Sequence, residues 1–72
     1  MVINTVWLNF RSSYDTGRAK GRLKKAGLLT GDWHFYSTTL VLDFDEPVDF
    51  NEVTNYINKL MEVAKPLSVS LT

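Results

Sequence analysis

"DFNEVTNYINKLMEVAKPLSVSLT", residues 49–72, carries the clearest local signals in the chain, and the rest is read outward from it. Asp49 is an N-cap residue with Glu52 three positions later, the spacing of a capping box. Val48 and Val53 bracket that cap as a hydrophobic staple. Phe50, Val53, Ile57, Leu60, Met61 and Ala64 then recur at helical spacing and form one apolar stripe. Pro66 stops the helix, and Lys65 complements the negative end of its dipole. In "PLSVSLT" the residues Leu67, Val69 and Leu71 alternate with Ser68, Ser70 and Thr72. That pattern is a strand with one dry and one wet face, typical of antiparallel neighbours.

Upstream, "TGDWHFYSTTLVLDFDEP" (residues 30–47) is strongly β-forming from Trp33 to Phe44, and Pro47 closes it. It reads either as one long strand or as a hairpin. Gly31-Asp32 offers a turn, which would make residues 28–30 a short strand, whereas Ser37-Thr38-Thr39 is a poorer turn. Residues 14–27 read as a helix that begins at Ser13 or Asp15, with Ala19, Leu23 and Ala26 defining its buried direction and Gly27 its stop. Gly17 and Gly21 each weaken it by about 1 kcal/mol relative to Ala. Residues 2–11 alternate: Val2, Val6, Leu8 and Phe10 point one way, Ile3, Thr5, Trp7, Asn9 and Arg11 the other. The order β-α-β(β)-α-β predicts an α+β two-layer sandwich of the ferredoxin-like type, a single domain over residues 1–72 with both helices on one face of an antiparallel or mixed sheet.

The 72 residues suffice for one small domain that buries only about 60% of its unfolded surface, which leaves little room for a deep pocket or a small-molecule substrate. With 44% hydrophobic and 22% charged residues the composition is globular, not disordered. There is no cysteine, and His34 is the only histidine, so neither the usual zinc ligand sets nor a Cys–His pair can be assembled. A Ser–His–Asp arrangement would rest on that one histidine in an aromatic stretch. The acidic run "DFDEPVD" (43–49) offers oxygen ligands, with Asp43 and Asp45 on one strand face, but Asp49 is accounted for as a cap. The expectation is therefore a non-enzymatic protein with no cofactor and no assigned metal site. "MVINTVWLNFR" lacks the basic start of a signal peptide, and no apolar run approaches a membrane span, so the expected location is the cytoplasm, or that of a host cell, with no membrane partner.

Net charge is zero but unevenly spread: six of the eight basic residues lie between Arg11 and Lys25, and five of the eight acidic ones between Asp43 and Glu52. On a helical wheel Arg18, Arg22 and Lys25 form one flank of the first helix and Lys20 and Lys24 the other. Such a face is a solvated rim around the apolar stripe, a phosphate-contacting surface or a contact for an acidic protein. The second candidate surface is the sheet face that the helices leave open. Alternation assigns Ile3, Trp7 and Val41 to it, with Trp33 and Phe35 added if the strand runs unbroken to Phe44 and no loop or bulge turns Trp33 inward. A face so rich in tryptophan is a docking site for a protein partner or for a second copy. The alternative is a single-stranded RNA or DNA binder using Arg11, Arg18, Lys20, Arg22, Lys24 and Lys25 with stacking on Trp7 and Trp33. "VWLNF" at 6–10 is similar to the first-strand motif of RNA-recognition motifs, with Trp7 in the base-stacking place. The basic-Gly-aromatic second motif is missing from "WHFYSTTLVLDF", and the family is not assigned. Stand-alone domains of this size are common among regulators and inhibitors of phages and mobile elements, an analogy of class only.

Overall fold

The computed structural model describes residues 1–72 as β1 (Val2–Asn9), α1 (Ser13–Lys25), β2 (Asp32–Phe35), β3 (Thr39–Asp49), α2 (Phe50–Ala64) and β4 (Ser68–Leu71). The strands form one antiparallel sheet in the order β2-β3-β1-β4, the two-layer α+β sandwich expected of the ferredoxin-like type. The core lies between the sheet and the helices. Val6, Leu8, Leu40 and Leu42 from the central strands meet Ala19 and Leu23 of α1 and Ile57, Leu60 and Ala64 of α2.

Both helices begin and end by local chemistry. α1 begins at Ser13, one of the two expected starts, and is capped by Ser12, whose hydroxyl accepts from the Asp15 N–H at 3.2 Å. The buried face of α1 is Thr16, Ala19 and Leu23, with Ala26 at the exposed C-cap. Gly27 then adopts φ +73, and the N–H groups of Gly27 and Leu28 bond back to the carbonyls of Lys24 and Leu23, a Schellman stop. In α2 the Asp49 carboxylate accepts from the Asn51 N–H at 3.0 Å, and Val48 and Val53 on either side of the cap both pack on the core.

Two features of the sheet depart from simple alternation. Residues 33–44 form a hairpin, not one strand: Phe35 pairs with Leu40, and the Tyr36 N–H closes the turn on the Thr39 carbonyl at 2.9 Å. Residues 28–30 are a connection without strand structure, and β3 continues through Pro47 to Asp49. The second departure is in β1. The N–H groups of Asn4 and Thr5 both donate to one acceptor, the Thr72 carbonyl, at 2.7 and 3.2 Å. Two consecutive residues against one partner make a β-bulge, and the β1–β3 register shifts at the same place. Ile3, expected on the open face, is consequently turned into the core and is 1% exposed.

This register carries a direct consequence for stability. Ile3→Ala should cost about 2–4 kcal/mol, as for other buried large-to-small changes. Val2→Ala, at an exposed position, should stay within about 0.5 kcal/mol. Urea unfolding of the two variants reads the difference; equal effects would show that the bulge does not turn Ile3 inward.

Candidate functional site on the open sheet face

The hairpin and the bulge together set which side chains cover the helix-free face. Three cross-strand rows result: Tyr36, Thr39, Asn9 and Ser68; His34, Val41, Trp7 and Ser70; Asp32, Asp43, Thr5 and Thr72. Trp7 stands near the centre with 36% of its surface exposed, and its indole N–H donates to Thr72 Oγ1 at 3.2 Å. Val41, between Trp7 and His34 in its row, is only 3% exposed although it is no part of the helix-side core. The positions around this pair are mostly polar, and those of one neighbouring row are bonded to one another. Thr39 Oγ1 donates to Asn9 Oδ1 at 3.3 Å, and the Asn9 amide donates to Ser68 Oγ at 3.2 Å.

One corner of the face concentrates charge. Asp32 on β2 lies directly opposite Asp43 on β3, and His34 is two residues from Asp32 on the same side. His34 Nε2 stands 3.1 Å from Asp43 Oδ2 and 3.7 Å from Asp32 Oδ1, and Thr5 Oγ1 donates to Asp43 Oδ1 at 2.9 Å. Beside this corner, where β2 has ended and β3 runs on, a cleft of 290 Å³ is lined by Asp32, Asp43 and Asp45 with Leu42, Phe44 and Tyr56.

Of the residues expected on the open face, Trp7 and Val41 are there. Trp33 and Phe35 are not, because the hairpin pairs them with the core residues Leu42 and Leu40 and so places them on the helix side. Trp33 packs against the core and donates its indole N–H to the Thr30 carbonyl at 3.1 Å. Phe35 lies under the Lys20 ammonium, 4.0 Å from its ring centroid. His34 takes the place expected for these aromatics. Reading residues 33–44 as a hairpin with Phe35 opposite Leu40 would have found it, since that pairing also brings Asp32 across from Asp43.

The basic residues are exposed as expected. Arg18, Lys20, Arg22, Lys24 and Lys25 all project from α1, on the layer away from Trp7. None of them lies within 4.0 Å of a carboxylate. Arg18 lies over the Tyr14 ring at 5.7 Å. Arg11 and Arg22 border a groove of 330 Å³ with Lys65 and Asp15 over the apolar Phe10 and Leu67. The basic helix and the two tryptophans therefore do not form one continuous binding surface. No protein-family model matches the chain, and no curated protein or solved structure matches it. No helix is long and apolar enough to cross a membrane.

Gly17 and Gly21 test whether the outer face of α1 is shaped by the fold. A Cβ added at either position meets nothing within 4 Å. Gly17→Ala and Gly21→Ala should each stabilise the protein by about 0.5–1 kcal/mol. Thermal melts read this as a rise of several degrees; a fall would show that packing demands the glycines.

Proposed function

We propose that the chain is a small interaction protein, without chemistry of its own, that docks a protein partner on the open sheet face around Trp7. The observation that carries this reading is the exposed Trp7 beside the water-shielded Val41, flanked by Asn9, Thr39 and Ser68, which are hydrogen-bonded to one another. An aromatic anchor within a polar rim is the anatomy of a binding hot spot. The face also carries Asp32 and Asp43 and no lysine or arginine among its three rows. Such a surface repels phosphate and acidic proteins. A second copy would add two more carboxylates and no cation, which favours a different protein as the occupant.

Size sets the strength of this contact. Four strands by three rows of side chains span roughly 19 × 20 Å, or about 400 Å², from ordinary sheet spacings. A standard interface uses about 800 Å² per partner, so docking on this face alone is of the weak or transient kind. A regulator or inhibitor, acting by occupying a partner's surface, suits those dimensions.

Trp7→Ala should leave the circular dichroism spectrum native, cost about 1–2 kcal/mol because the ring is only partly buried, and abolish capture of the partner in affinity pull-downs. Charge reversal of Arg18, Arg22 and Lys25 should leave that capture intact. Light scattering should find a monomer; a concentration-dependent dimer lost in Trp7→Ala would reassign the face to self-association. Sub-micromolar, salt-sensitive binding of single-stranded oligonucleotides, lost on charge reversal of the helix, would overturn the reading in favour of nucleic acid.

A further inference from the structure

We propose that Asp32, His34 and Asp43 form a binding site for a divalent transition-metal ion of the zinc type. This goes beyond the docking role of the face and depends on neither Trp7 nor a partner. The three side chains each offer a ligand atom, and these atoms all lie within 4.8 Å of one another. Ligands at about 2.0–2.2 Å from a common ion stand about 2.8–3.1 Å apart for octahedral angles and about 3.3–3.6 Å apart for tetrahedral ones. The His34–Asp43 separation of 3.1 Å already falls in the octahedral range. The His34–Asp32 separation of 3.7 Å lies just outside the tetrahedral range, and Asp32 is an exposed side chain able to close the difference.

A second observation is electrostatic. Like charges directly opposite on neighbouring strands are destabilising, and Asp32 and Asp43 are such a pair. No lysine or arginine approaches either carboxylate within 4.0 Å, so neither has a permanent counter-charge in the fold. A divalent ion held between them and His34 supplies it. The remaining oxygen of Asp43 is engaged by the Thr5 hydroxyl, which fixes the carboxylate's orientation in the way that partners of metal ligands do.

The donor set chooses the metal class. One imidazole with two carboxylates suits zinc, cobalt, nickel or manganese, whereas calcium and magnesium prefer all-oxygen sets and copper(I) prefers thiolates. Three protein ligands on an open face leave at least one coordination position to water or to a group brought by a partner.

The test uses the intact chain alone. Zn²⁺ is titrated by calorimetry and Co²⁺ by its visible d–d absorption, with circular dichroism confirming the fold of each variant. One equivalent should bind. His34→Ala and Asp43→Asn should abolish saturable binding, and Thr5→Val, a change at a positioning residue, should weaken it roughly 10–100-fold and alter the cobalt spectrum. Asp45→Asn, beside the site but outside the triad, and Trp7→Ala should both retain full affinity, which separates this site from the docking role. Wild-type binding no tighter than that of His34→Ala would overturn the proposal. So would equal losses in Asp43→Asn and Asp45→Asn, the signature of diffuse attraction to an acidic surface.

Discussion

Two backbone N–H groups sharing one carbonyl organise this protein. Asn4 and Thr5 both bond to the Thr72 oxygen, and the extra residue reverses the side on which β1 presents its side chains. Before the bulge Ile3 enters the core; after it Val6 and Leu8 do, and Thr5, Trp7 and Asn9 reach the other face. Strict alternation would have placed Ile3 among the polar side chains. β1 is bonded to both β3 and β4, so this correction is made at the centre of the sheet, where every row depends on it.

The two layers then differ in physical character. On the helix side, cations surround an apolar core and lie over aromatic rings, as Lys20 does over Phe35 and Arg18 over Tyr14. Long aliphatic stems cover apolar surface there while their charges remain in water. On the open side the cations are absent, and the order comes from short polar side chains bonded across strands. Asn9 links β4 to β3 through Ser68 and Thr39, and Thr5 links β1 to β3 through Asp43. A sheet face held by such bonds keeps its shape without a covering layer, which is what leaves Trp7 presented on a firm support.

The bounds of helix α2 are legible to within a residue because cap and apolar periodicity are local and agree, although Met61, expected in the stripe, is exposed and Tyr56 and Val63 pack on the core instead. The sheet faces were harder to read, and the reason lies in one turn. With Phe35 opposite Leu40, odd-numbered residues of β2 face even-numbered residues of β3. An unbroken strand would have kept Trp33 and Phe35 on the side of Val41. The hairpin sends them to the helices and brings Asp32 and His34 out in their place. Nothing in "YSTT" marks that turn with glycine, asparagine or proline, the residues that usually announce one. The bulge was equally silent, since its acceptor belongs to a residue at the far end of the sequence.

That distance bears on how the chain is made. Thr72 is bonded through its backbone to Asn4 and Thr5 and through its hydroxyl to Trp7, 65 positions away. On a ribosome the first strand emerges long before its bulge partner exists. Until then only β3 can hold the two phases of β1, through the pairs Ile3–Val48 and Thr5–Asp43. Contacts this remote in sequence form late and slowly. The central strand of this sheet is thus synthesised well before the residue that completes its bulge.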